Sequence, residues 1–189
     1  MFPSNDRALV NADGTWRIAP YDFDEFMSTC RQNCESYRNR TQAADGEGFD
    51  LDGGCTGCVL QYNYSHDNAG AGYLVYTYGG APHHYQGNVV RWNVSENDSV
   101  RHQWYGAIDV GNDGAGISGV QIYQNTLIIT RTNHPAEALV TVHGRDVGVA
   151  FRNNLPANFS GTPLVSVKQD NPAIVFQGSL YNCTVTSKS

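Results

Sequence analysis

The sequence predicts an all-β chain wound as a parallel β-helix, and three observations lead there. First, a stretch built around an asparagine, Val59-Leu60-Gln61-Tyr62-Asn63-Tyr64-Ser65-His66-Asp67-Asn68, recurs along the chain, for instance as Val89-Val90-Arg91-Trp92-Asn93-Val94-Ser95. Aligned on Asn33, Asn63, Asn93, Asn125, Asn154 and Asn182, the copies are 30, 30, 32, 29 and 28 residues apart, a drifting period of the kind that stacked repeats produce. Second, Val, Ile, Tyr and Thr fill the repeat while leucine is sparse, which excludes the leucine-rich horseshoe, the other fold that stacks asparagines. Third, Gly and Asn clusters such as Gly111-Asn112-Asp113-Gly114-Ala115-Gly116 punctuate the strands and suit tight corners.

In such a coil, equivalent residues lie above one another at about 4.8 Å. An inward asparagine at a corner passes its amide donor and acceptor along the stack, so each interior polar group is satisfied by the next. Six aligned asparagines imply about six coils.

Taken in order, residues 1–30 form an N-terminal irregular segment or first coil. They hold a turn and a possible strand at Asp13-Gly14-Thr15-Trp16-Arg17-Ile18 and a short irregular or helical piece from Phe23 to Met27. Residues 31–189 form the β-helix. Each coil carries a second strand ahead of its asparagine: Phe49-Asp50-Leu51-Asp52, Tyr73-Leu74-Val75-Tyr76, Ala107-Ile108-Asp109-Val110, Leu139-Val140-Thr141-Val142 and Leu164-Val165-Ser166-Val167. Alternation turns Phe49, Leu51, Ile108, Val110, Val140 and Val142 inward, and Asp50, Asp52, Asp109, Thr141 and His143 outward onto one face. Ala81-Pro82-His83-His84 and Asn133-His134-Pro135 read as loops pushed out of the coil.

The net charge of −6 and only two lysines, Lys168 and Lys188, argue against nucleic acid and against anionic membranes. No apolar run reaches the roughly 18 residues needed to span a bilayer. The N-terminus has no apolar signal core, and the chain opens inside a repeat, so it reads as a fragment of a longer secreted protein. A monomer is expected.

Five cysteines leave at least one unpaired. Cys183 lies about five coils, roughly 24 Å, from Cys34, beyond disulfide reach. A bridge from Cys30 or Cys34 to Cys55 or Cys58, or simply buried thiols, is expected ahead of a zinc site, which is typical of much smaller domains.

Between residues 41 and 90 stand five acids, three histidines and no Lys or Arg. Asp50 and Asp52 share one strand face, with Asp109 two coils along it. Such carboxylates suit glycoside hydrolysis, in which one acid protonates the leaving oxygen and the other activates water or attacks. Glu47, Asp109 and His66 are reserves. The same oxygens also suit calcium, or turn capping at coil corners. His66 either assists as acid or base or is a satisfied corner histidine. His83 and His84, beside Tyr76, Tyr78 and Tyr85, form a candidate wall over the acidic face, and His143 shares that face. Trp92, Trp104 and Tyr105 are candidate sugar platforms, although Trp92 also suits a plain cover for the coil's flank. The N-glycosylation sequons at Asn39, Asn63, Asn93, Asn97, Asn158 and Asn182 are weak, because three coincide with the ladder.

Gly46-Glu47-Gly48-Phe49-Asp50-Leu51-Asp52-Gly53-Gly54-Cys55, running into Gln61-Tyr62-Asn63-Tyr64-Ser65-His66-Asp67-Asn68, resembles the secreted right-handed parallel β-helix repeat proteins over roughly residues 30–185. That superfamily includes pectate and alginate lyases and polygalacturonase-type hydrolases. The resemblance implies a right-handed coil, a secreted or cell-surface location and a polysaccharide partner. The Asn-Thr-Asp, Gly-Asp-Asp, Gly-His-Gly and Arg-Ile-Lys motifs of the hydrolases are not intact here. The lyases use a Lys or Arg base with calcium, and Arg91 is the best candidate for that role. A hydrolase is therefore expected ahead of a lyase, with a non-catalytic glycan-binding or cell-surface module as the alternative.

Overall fold

A computed structural model of the chain describes residues 31–41, 45–169, 171–178 and 186–187. The elements expected at Asp13–Ile18 and Phe23–Met27 lie outside the described residues, as do Cys30, Asn182 and Cys183.

All regular elements among the described residues are strands, and they build three sheets. The first holds β1 (Arg31–Gln32), β4 (Val59–Gln61), β8 (Val89–Arg91), β11 (Ile117–Tyr123), β14 (Val147–Arg152) and β17 (Ile174–Gln177), with β7 (Tyr85–Gln86) beside β11. The second holds β2 (Glu35–Tyr37), β5 (Tyr64–His66), β9 (Val94–Glu96), β12 (Thr126–Ile129) and β15 (Leu155–Asn158). The third holds β3 (Phe49–Leu51), β6 (Tyr73–Thr77), β10 (Ile108–Asn112), β13 (Val140–Gly144), β16 (Val165–Val167) and β18 (Thr186–Ser187). The pairings are parallel, and the chain visits the third, first and second sheets in rotation, as a parallel β-helix does.

Register stacks like on like. Leu60, Val90, Ile122 and Phe151 form one inward column, and Tyr73, Ile108 and Val140 another, all buried. The two buried phenols reach backbone carbonyls, Tyr73 at Asn63 O and Val94 O (2.9 Å each) and Tyr85 at Leu51 O (2.8 Å), so the interior hydroxyls are satisfied.

The asparagine ladder stands at the bend between the first and second sheets. Asn63 Nδ2 donates to Asn93 Oδ1 (3.2 Å), Asn93 Nδ2 to Asn125 Oδ1 (3.0 Å) and Asn125 Nδ2 to Asn154 Oδ1 (3.0 Å). Each oxygen also accepts the backbone N–H of the preceding rung, at 3.0, 3.0 and 3.1 Å. At the N-terminal end the register corrects the sequence alignment. Cys34, not Asn33, is the next rung, since the Cys34 N–H donates to Asn63 Oδ1 at 3.1 Å. Asn33 is exposed and takes φ 56°, equivalent to Tyr62, Trp92, Gln124 and Asn153. The run through Asn63 is therefore two strands bent at Tyr62–Asn63, which is how three sheets arise where the sequence suggested two strands per coil.

A second polar column, unforeseen from sequence, stands at the far end of the second sheet. Asn68 Oδ1 accepts from Asn39 N (2.9 Å), and Asp98 Oδ1 accepts from Asn68 N (3.1 Å) and Asn68 Nδ2 (2.9 Å). Ser95 Oγ donates to Asp98 Oδ2 at 2.7 Å, and Ser65 Oγ accepts from Asn68 Nδ2 at 3.0 Å.

Among the described residues, Cys34 stands on the ladder corner, whereas Cys55 and Cys58 are buried beneath Asn88 on the corner between third and first sheets, so the expected bridge from Cys34 to Cys55 or Cys58 does not form. The alternative bridge from Cys30 lies outside the described residues.

Candidate functional site

The outer face of the third sheet brings several of the expected residues together. One outward column runs Asp50, Leu74, Asp109, Thr141 and Ser166. The next contains Tyr76, Gly111 and His143, with Asp52 and Lys168 following the inward Leu51 and Val167 of β3 and β16.

Asp109 points outward, as alternation requires, yet it is 0% exposed. Thr141 Oγ1 donates to its Oδ2, and His143 Nε2 lies 2.8 Å from its Oδ1. That carboxylate raises the His143 pKa against the opposing effect of burial. Asp109 is thus an internal partner of His143 rather than an open acid, which corrects its expected exposure. The Tyr76 hydroxyl donates to Asp113 Oδ2, and its ring meets His143 at 6.0 Å. Gly111 makes this approach possible, because a Cβ there would stand 2.3 Å from His143 Cε1 and 2.7 Å from Tyr76 Cδ2. At the C-terminal end of the face, Glu137 takes bonds from Ser166 Oγ (2.7 Å) and Lys168 Nζ.

Asp50 is exposed, and Asp52 is half-buried with Oδ1 accepting its neighbour's N–H, Gly53 N, at 2.6 Å. Burial raises the Asp52 pKa, and the charge of Asp45 adds to it. Burial also raises the carboxyl of Glu47, whose Oε2 accepts from Gly46 N at 2.8 Å. Tyr105 lies near both Glu47 and Asp109, and burial pushes its phenol up.

Other expected residues stand elsewhere. His66 is on the second sheet, across the coil from Asp50, because the bend at Asn63 carries it round the corner. It is held by Glu35 and Asp67 (3.1 Å each) and stacked on Tyr37 and Tyr64 at 5.0 and 4.6 Å. Burial alone would lower its pKa, but the two carboxylates outweigh that and raise it. Arg91 is on the first sheet, bonded to Gln61 Oε1 and the Tyr123 hydroxyl at 2.8 Å each, away from the acids a lyase base would serve. Trp104 is exposed and meets the His102 ring at 4.9 Å, tilted by 32°. His83 and His84 are exposed in the turn before β7, and His84 lines an open cleft of about 390 Å³ with Gln86, Ser118 and Asp146. Among the described residues, no group of three or more His, Cys, Asp or Glu is arranged to hold a metal ion.

Sequence reasoning missed Asp113, Gly111 and Glu137. The first two stand in the Gly111–Gly116 cluster, whose composition by itself points only to a tight corner. Only the register between coils shows that Asp113 meets Tyr76, 37 residues earlier.

Fold and face together define an all-β, parallel-stacked coil with a carboxylate-bearing outer surface. No family model, curated protein or solved structure matches the chain.

Proposed function

We propose that the chain is a right-handed parallel β-helix of about six coils from a secreted or cell-surface protein. It holds a polysaccharide along the outer face of its third sheet and cleaves it with paired carboxylates, as glycoside hydrolases do. The observation that carries this reading is the contrast between Asp52, whose pKa is raised by burial, and the exposed Asp50 two residues before it. Two residues apart along extended backbone, their Cα atoms are separated by about 6.6 Å and their side chains leave on the same face, as a pair of carboxyls acting on one bond requires.

Asp52 keeps its proton to higher pH and donates it to the glycosidic oxygen. With Oδ1 engaged by Gly53, Oδ2 is the oxygen that faces substrate. Asp50 as carboxylate takes a proton from the water that attacks the anomeric carbon. Tyr76 and His143, held in place by Asp113 and Asp109, form the floor of the site one or more coils along.

Release of reducing ends from a panel of polysaccharides tests this. Asp50→Asn and Asp52→Asn should each lower turnover by about 100-fold or more without changing the unfolding midpoint. Wild-type turnover in both variants refutes the assignment. A second reading, a non-catalytic glycan-binding module, draws on the internal pairing of Asp109 with Thr141 and His143, an arrangement that stabilises a surface without leaving that acid free. Retention of a polysaccharide with no new reducing ends would favour it.

A further inference from the structure

The corner between the third and first sheets reuses the same inward positions in successive coils. One column runs Cys55, Tyr85, Ile117 and Val147, and the other Cys58, Asn88, Val120 and Val149, all of them buried. In the later coils β11 and β14 run through this corner, and apolar side chains fill it. The run Cys55-Thr56-Gly57-Cys58 belongs to no strand and meets the next coil through an isolated bridge from Thr56 to Gln86. Ladder bonds therefore hold it less well than its successors.

Asn88 clips the two ends of that run together. Its Nδ2 donates to Cys55 O and its Oδ1 accepts from Cys58 N, each at 2.8 Å, so one amide group spans the turn. Gly57 makes the turn with φ 68°, and a Cβ there would meet nothing within 4 Å, so the tip is open while both ends are fixed. The two cysteine side chains point into the core, 3% and 2% exposed, and their thiols are in hydrogen-bond contact. Thiols that touch across a clipped four-residue turn lie within the reach a disulfide requires. The contact with Cys58, and then burial, push the Cys55 thiol far up. Since the thiolate is the reacting form, the finished corner is closed to reagents, and the state of the pair is set while the chain folds.

We infer that Cys55 and Cys58 are a disulfide site, oxidised to a bridge within one turn before the corner is buried, and that this bridge staples the turn. The oxidant is another disulfide, small molecule or protein. The Cys55 thiolate attacks one of its sulfurs and expels the other as a thiolate. The Cys58 thiolate then attacks the Cys55 sulfur of the mixed disulfide and expels the second. One S–S bond forms and one breaks, two electrons pass from the cysteines to the oxidant, and the two cysteine protons end on the thiols released. The secreted location proposed above would supply such an oxidant.

Refolding of the unfolded, reduced full chain in a mixture of oxidised and reduced glutathione tests this, followed by alkylation and mass mapping without reduction. The peptide carrying Cys55 and Cys58 is expected unalkylated and lighter by two hydrogens than its reduced form. In the native protein the bridge should resist reduced glutathione, and it should become reducible in the denaturant range where the chain unfolds. Oxidation should raise the unfolding midpoint, shifting the ratio of folded to unfolded chain by roughly tenfold or more. Cys58→Val should fold, because Val120 and Val149 fill the same position, and should lose that gain. Should it fail to fold, Cys55→Val, which matches Val147, carries the same comparison. Alkylation of both cysteines after oxidative refolding overturns the inference. So does pairing of either with Cys30, Cys34 or Cys183, a bridge that leaves the midpoint unchanged, or a gain retained in Cys58→Val. Because the oxidant is supplied in the tube, failure here leaves the location and the cleavage readings standing.

Discussion

A single asparagine side chain in the ladder serves two coils at once. Asn125 Oδ1 accepts both from the backbone and from the side chain of Asn93, while its own Nδ2 donates to Val90 O and to Asn154 Oδ1, each at 3.0 Å. Truncating it removes the acceptor of both the Asn93 N–H and the Asn93 Nδ2, and unsatisfied buried groups cost more than the bonds themselves contribute. Asn125→Ala should therefore lose about 3 kcal/mol in denaturant unfolding. Asn33→Ala, at the exposed bend, should lose about 1 kcal/mol or less. Equal losses at the two positions would contradict the register in which Cys34 is the rung.

At the scale of the element, each strand is too short to stand alone, and the corners decide where the chain turns. The corner built on Asn39, Asn68 and Asp98 places a carboxyl inside the coil, and burial raises the Asp98 pKa from 3.8 to about 6 despite its bonds from Ser95 and Asn68. The folded protein thus holds a proton there that the unfolded chain releases at lower pH. The associated stability is complete below pH 3.8 and is lost as pH rises through about 6. Urea unfolding across that interval should show the decline, and Asp98→Asn should flatten it. At about pH 7 the variant should be more stable than the parent, by on the order of 2 kcal/mol. A variant with an unchanged pH slope would show that another group titrates.

Over the whole molecule, stability is a sum along a stack, each coil held chiefly by its two neighbours. The strands β10 and β13 pair on both sides, over five residues with each other. By contrast, β1 and β2 are short and, among the described residues, pair on one side only. Hydrogen exchange should accordingly be slowest in β10 and β13 and faster by roughly 100-fold or more in β1 and β2. Uniform protection from end to end would mean that the stack opens only as a unit.

The period of about 30 residues and the alternation of strands such as Phe49–Leu51 were legible in the sequence alone. Both are local consequences of side-chain chemistry repeated at fixed spacing, and they sufficed for a parallel all-β stack, its third-sheet strands and an inward asparagine column. They did not suffice for the bend at Tyr62–Asn63, because an apolar run reads the same whether or not the backbone turns within it. That one turn, with φ of 55° at Tyr62, moves His66 away from the acids and sets Tyr62 over Trp92. Nor could composition foretell that Asp109 is closed off by Thr141 and His143, or that Tyr76 finds Asp113. Those contacts join residues more than 30 apart in sequence, and only the register of one coil on the next brings them within bonding distance.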